Sequence, residues 1–326
     1  MDNNKEKKVI WSYFPVTLIT AIFCCALWGS ASPSVKIAYE WFEILPDDTA
    51  SRLMLAGARF VIAGIMVIIF GSCVQRKVLV PKGKASIKYI LVLAAFQTFL
   101  QYYFFFMALA HTSGVRGSII NASGNFFSII FAALIFKFEK ITARKVLGCL
   151  FGFTGAFLVV LGSSGIDSGL SGLTSGGVAL NGEGAMIASA LFYACSSCFI
   201  KKYSEYENPV VLSGYQFFVG GAVLFLSGMF TGGSLHFNGI GCVILLLYMG
   251  FISAGAYTLW GILLKYNPVS RVSVLGFVNP ILGVVFSALF LKEGKEAFSV
   301  IGLAALVLVS LGIVIVNTKK KTDKEN

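Results

Sequence analysis

The sequence predicts an all-α integral membrane protein, with ten transmembrane helices arranged as two inverted five-helix repeats. Three observations lead there: a composition too apolar for a soluble fold, ten apolar runs of spanning length, and residues that recur in order in the second half. Of 326 residues, 57% are hydrophobic and 13% charged, with a mean hydropathy of +0.83. Soluble domains average about 45–50% apolar and about 25% charged residues. Such a surplus of apolar surface fits lipid instead. The 35 glycines fit as well, because small residues let neighbouring spanning helices approach closely.

The first run, Phe14–Val35, follows the charged stretch MDNNKEKK. It is longer than the h-region of a signal peptide, about 7–15 residues, and a similar segment recurs mid-chain, so it is expected to remain as a crossing. The next four runs are Arg52–Cys73, Ile87–Ala110, Gly114–Phe136 and Ala143–Leu161. The second five are Glu183–Ile200, Val210–Thr231, Gly239–Leu264, Val269–Leu291 and Phe298–Val316. Each is close to the about 20 residues that a spanning helix needs. None alternates polar and apolar as a barrel strand would.

The formal net charge of +11 raises the question of a nucleic-acid partner. Such a partner needs basic side chains gathered on one folded surface, whereas here they lie in short runs between apolar segments, so no nucleic acid is expected. With the N-terminus inside, twenty Lys and Arg fall on the cytoplasmic side and five outside, with Arg59 inside a helix. The positive-inside rule therefore puts both termini in the cytoplasm of a cell-membrane protein. The expected partners are a lipid bilayer and a small-molecule substrate, with a homodimer left open.

The connection 162–182 holds seven glycines and neither Lys nor Arg. It reads as a flexible external linker between repeats at 14–161 and 183–317. Within those repeats Glu139 corresponds to Glu293, each followed nine positions later by glycine, Gly148 and Gly302. Asn125-Phe126 corresponds to Asn279-Pro280, Tyr103 to Tyr257, Ala26-Leu27-Trp28 to Ala190-Leu191-Phe192, and Ser32 to Ser196. An odd number of helices per repeat turns the second upside down. Inverted repeats are a common build of secondary transporters, with the substrate near the midplane between them.

Ala26-Leu27-Trp28-Gly29, Ala58-Arg59-Phe60, Asn279-Pro280 and the two glutamates with their following glycines resemble the drug/metabolite transporter superfamily, in its ten-helix form with two EamA-type repeats. The resemblance covers about Phe14 to Val316. It implies export or import of amino acids, nucleosides, sugars, cofactors or drugs. The first repeat has Phe126 where the family usually has proline, so the fourth helix is expected to be straighter than the ninth.

Polar side chains inside a membrane are costly and default to a functional reading. Residues four apart share a helix face, which pairs Trp28 with Ser32, Gln97 with Gln101, Asn121 with Asn125, and Tyr193 with Ser197. Tyr257 and Trp260 nearly do so, and Asn279 joins them by correspondence with Asn125. Amides, hydroxyls and aromatic walls suit a midplane site for a small uncharged or zwitterionic metabolite such as an amino acid, exported by alternating access; interhelical hydrogen bonding is the rival reading. Arg59, Glu139, Glu293 and Pro280 are assigned structural or gating roles, the glutamates as helix-end anchors and Arg59 held by carbonyls or snorkelling near the helix end, with a contact to an anionic group of the substrate as its other reading. Gln216 takes the place of Arg59 in the second repeat.

No cofactor, metal or catalytic residue is expected. Cys195-Ser-Ser-Cys198 lacks the second pair of a zinc site, and the other cysteines read as packing residues. Gly162-Ser-Ser-Gly165 matches a serine-hydrolase pattern, but such a nucleophile needs a base, and His111 and His236 fall in external connections. No P-loop appears. A channel or lipid scramblase remains the alternative that topology alone permits.

Overall fold

The structure is a computed structural model, described here for residues 10–163, 180–276, 278–291 and 300–317. Those residues are helical and contain no strand. Six stretches are long and apolar enough to cross a bilayer: Phe14–Trp41, Thr49–Gln75, Lys84–His111, Gly182–Tyr203, Pro209–Phe230 and Ile240–Tyr266. Shorter apolar helices cover Ile119–Leu134, Ile281–Phe290 and Val300–Gly312. Phe70, Phe230 and Leu289 are each more than 60% exposed on the outside. That is the arrangement expected when the outer solvent is hydrocarbon.

Helices form and stop where local chemistry allows. Helix α1 is Phe14–Gly29 and α2 is Ala31–Trp41, separated at Ser30, whose hydroxyl donates to the Leu27 carbonyl at 2.7 Å. Pro33 falls in the first turn of α2, where its missing N–H costs nothing. Helix α3, Thr49–Gln75, begins at Asp48, whose carboxylate accepts from the Ser51 amide at 2.9 Å. The next crossing is α4, Lys84–Leu93, then a π-helical stretch Ala94–Leu100, then α5, Gln101–His111.

The fourth apolar segment divides into α6, Gly114–Asn121, and α7, Ser123–Leu134. The expectation of a straighter helix there fails. Even without proline the helix breaks at Ala122, whose carbonyl accepts from the Asn125 amide at 3.1 Å. Helices α8, Ala143–Ser163, and α9, Ala185–Tyr203, follow, the latter entered through a second π turn, Leu180–Gly184. Then come α10, Pro209–Phe230, and α11, Ile240–Tyr266. The ninth segment also divides, into α12, Val269–Leu275, and α13, Val278–Phe290, and the Gly276 carbonyl accepts from the Asn279 amide at 3.1 Å. Helix α14 is Val300–Asn317.

The scaffold is the pair α3 and α10, packed along their lengths. Glycines make that approach possible. A Cβ on Gly57 would lie 2.2 Å from the Phe225 backbone nitrogen, and one on Gly228 would lie 2.4 Å from the Ala50 carbonyl oxygen. Backbone cannot yield as a side chain does, so Gly57→Ala must separate the helices; overpacking of this kind costs about 1–3 kcal/mol. Gly57→Ala is therefore expected to lower the melting temperature of the detergent-solubilised protein by several degrees. Gly83→Ala, at a position with nothing within 4 Å of an added Cβ, should leave it unchanged.

Candidate functional site

Helix irregularities converge on one place. The break at Ser30 brings Trp28, Ala31 and Ser32 there; the break at Ala122 brings Asn121 and Asn125; the break after Gly276 brings Gly276 and Asn279. The residues just after the π stretch add Gln101, Tyr102 and Phe105, while α9 and α11 contribute Tyr193 and Tyr257. Together they enclose a central cavity of about 40 Å³, roughly room for three waters.

Eight of the eleven residues expected to bind substrate line this cavity: Trp28, Ser32, Gln101, Asn121, Asn125, Tyr193, Tyr257 and Asn279. Three do not. Trp260 is buried behind the wall, its ring 4.9 Å from that of Trp28 at 67°. Gln97 and Ser197 are buried one turn away. Both members of an i, i+4 pair reach it within α5, Gln101 with Phe105, and across the interruptions at Ser30 and Ala122, Trp28 with Ser32 and Asn121 with Asn125.

The π stretch explains a further correction. The Gln101 amide N–H donates to the Phe96 carbonyl, five residues back, which winds the chain more loosely than an α-helix. Residues on either side therefore lose the α-helical phase, and Gln97 parts from Gln101. Just beyond the π stretch Tyr102 stands against Tyr257, with their hydroxyls 2.8 Å apart. The Gln101 side-chain amide donates to the Tyr257 hydroxyl at 2.8 Å. Tyr257 also meets the Trp28 ring edge-to-face at 5.0 Å. Sequence reasoning missed Ala31, Tyr102, Phe105 and Gly276. Phe105, four residues after Gln101, was accessible to the same face argument, and Gly276 is signalled by its place ahead of Asn279-Pro280.

A second cavity of about 540 Å³ continues along the same helices. Its walls include Lys36, Tyr39 and Glu40 of α2 and Leu109 and Ala110 of α5. These stand one to two turns beyond Ser32 and Phe105, and the Tyr39 hydroxyl donates to the Phe106 carbonyl at 2.9 Å between the two spaces.

The opposite end of the molecule is held by Glu139, in the connection between α7 and α8. Its carboxylate accepts from the Ser270 amide at 3.1 Å, from the Ser270 hydroxyl, and from Lys145 at 2.9 Å. Burial alone would raise the Glu139 pKa; the hydrogen bonds from Lys145 and Ser270 outweigh it and hold the carboxyl below its ordinary value. Ser270 belongs to α12, so this contact joins the two halves of the chain. Glu293 lies outside the described residues, and Pro280 is the third residue of α13. Ser163 is the last residue of α8, and His111 and His236 are exposed. The seven cysteines are free thiols, five of them buried.

A sequence profile described as the EamA-like transporter family matches residues 16–161 and 180–318. The chain is 26% identical over 309 residues to a "Probable amino-acid metabolite efflux pump" of Escherichia coli (strain K12), covering 90% of this chain and 93% of that protein. It is 26% identical to a WAT1-related chloroplastic protein of Arabidopsis thaliana, over 88% of this chain and 66% of that one. A solved crystal structure shares the fold with a TM-score of 0.66 at 18% identity, over 92% of this chain and 96% of that chain. The family and the Escherichia coli relative are named for transport rather than catalysis. With the profile spanning most of its length on an apolar, all-helical fold, this multi-pass membrane protein belongs to the EamA-like transporter family.

Proposed function

We propose that the chain is a secondary transporter that exports a small polar metabolite such as an amino acid, by alternating access around the central cavity. The observation that carries this reading is the convergence of three helix breaks and a π turn on that cavity. Broken helices are tolerated at membrane depth only where they are buried or line a water-filled space, and transporters use them to build midplane sites. The binding set is the eight lining residues expected from sequence together with Tyr102.

Ten crossings in two inverted repeats, at 14–161 and 183–317, are part of the same proposal. It is supported by matched irregularities: Ala122 and Gly276 each accept from the asparagine amide three residues on. Helices at equivalent places also pair, α3 with α10 and α8 with α14. With both termini cytoplasmic, the 540 Å³ cavity faces outside and Glu139 closes the inside. A reporter active only outside the cytoplasm should then work when fused within residues 162–182 and be silent at Asn326. The reverse pattern at both sites would overturn the orientation.

Transport itself is tested by counterflow. Purified protein in proteoliposomes preloaded with an amino-acid mixture should accumulate a labelled amino acid transiently and saturably. Flux linear in concentration, without counterflow, would instead support a channel.

A further inference from the structure

Arg59 sits within the long helix α3 and is fully buried. Its Nε donates to the Met249 carbonyl at 3.1 Å and to the Ser253 hydroxyl at 3.0 Å. This is the carbonyl-held arginine expected from sequence, but only in part, because both terminal nitrogens are buried without a hydrogen-bond partner. The ionisable groups within its electrostatic reach are the phenols of Tyr102, Tyr257 and Tyr39, with no carboxylate among them. The guanidinium carbon lies 5.4 Å from the Tyr102 ring centroid and 5.3 Å from that of Phe60. Tyr102 and Tyr257 are walls of the central cavity and Tyr39 is a wall of the second. Among the described residues no carboxylate meets this positive charge, which stands behind the partition between the two spaces. A buried cation without an anion is costly, and buried polar nitrogens left unbonded call for an explanation.

The cavity carries orphan groups of its own. The Trp28 indole N–H and the Gln101 side-chain oxygen are both buried and unpartnered, and both residues line it. The first is a donor only and the second an acceptor only. A ligand satisfying both must offer an acceptor and a donor a short distance apart, and the nearby positive charge sets the sign of the acceptor.

We propose that Arg59 makes the central cavity selective for a carboxylate, so that the substrate is an α-amino acid zwitterion whose carboxylate faces Trp28 and the Tyr102 wall while its ammonium meets Gln101. This rests on the transport reading above. Arg59 is a positioning residue in this account, since it does not line the cavity and acts across the Tyr102 ring. Screening is weak in a buried setting. At the effective dielectric constant of about 20 that suits buried sites, a unit charge behind the wall favours an anion over a neutral isostere. An amino-acid amide is nearly the same size as its parent, keeps the ammonium and lacks the negative charge, so it isolates that preference.

The test is counterflow with purified full-length protein, using twenty labelled L-amino acids and, for each one moved, its unlabelled carboxamide as competitor. In the wild type the amide should compete at least tenfold more weakly than the parent acid. Arg59→Lys should keep most of that gap, and Arg59→Gln should shrink it to under threefold in protein that elutes as a single species. Trp28→Phe, which keeps an aromatic ring but loses the N–H, should narrow the gap about fivefold and gives a second route if Arg59→Gln does not fold. Amides competing as well as acids in the wild type would overturn the proposal while leaving transport standing. A full gap in Arg59→Gln, or in Trp28→Phe where Arg59→Gln is not recovered, would also overturn it. Movement of no amino acid would overturn the amino-acid reading and this inference together.

Discussion

Trp28→Ala is expected to lower transport at least tenfold while leaving the protein inserted in the membrane. The indole is the centre of an aromatic cluster, with Trp260 at 4.9 Å, Tyr257 at 5.0 Å and Tyr193 at 6.3 Å, all edge-to-face. Such pairs add about 0.5–1.5 kcal/mol each beyond the area they bury. Alanine therefore enlarges the cavity and also frees Tyr257, whose hydroxyl accepts from Gln101 and shares a hydrogen bond with Tyr102. Removing a buried Trp costs about 3–5 kcal/mol, so transport must be normalised to protein recovered as a single species in gel filtration. The substitution adds no charge to the hydrocarbon region, so the insertion signal stays intact. Transport per folded molecule within twofold of wild type would remove Trp28 from the site.

The second large effect is expected at Glu139. Its carboxylate ties the α7–α8 connection to α12 through Ser270 and is paired with Lys145. Hydrogen bonds to a charged group contribute about 1.5–3 kcal/mol each. Glu139→Gln, which keeps shape but loses charge, should cost the closed state of this end about 2 kcal/mol, shifting its population roughly thirtyfold. Transport should fall or lose its coupling, and a cysteine placed by Asn279→Cys should react faster with a reagent applied from the Glu139 side. The pH dependence has a definite sign. The folded-state pKa is depressed below 4.5, so the stabilisation is fully present above the unfolded value and is lost only as pH falls through the folded one. Transport between pH 6 and 8 should therefore show no step from Glu139. A step there that disappears in Glu139→Gln would contradict the assignment.

Six spanning segments were legible because hydropathy over about 20 residues reports them directly. The observed helix ends depart from the expected ones mostly by a few residues, the largest difference being α2, which runs on to Trp41. The polar set was legible as far as helical phase is regular. Asn121, Asn125, Trp28 and Ser32 were found by spacing, and both members of each pair reach the cavity. Phase fails wherever the winding changes. Nothing in Ala94-Ala-Phe-Gln-Thr-Phe-Leu100 announces a π stretch, so Gln97 was placed with Gln101. The break at Ala122 has neither proline nor glycine at its centre, but Ser123-Gly124 follow it directly, and Gly/Ser pairs are a known place for helices to kink. Depth was illegible as well. Ser197 and Trp260 have suitable chemistry but lie outside a cavity whose height only the assembled helices define.

The central claim is that the cavity at the helix breaks holds the substrate, and Asn121 offers the most direct test. In a background with all seven native cysteines replaced, Asn121→Cys should be modified by a small soluble thiol reagent, because alternating access exposes the cavity to water in one state. An amino acid shown to undergo counterflow, added at saturating concentration, should slow that modification at least fivefold. A cysteine at 121 that never reacts, or that reacts at the same rate with and without substrate, would contradict the account.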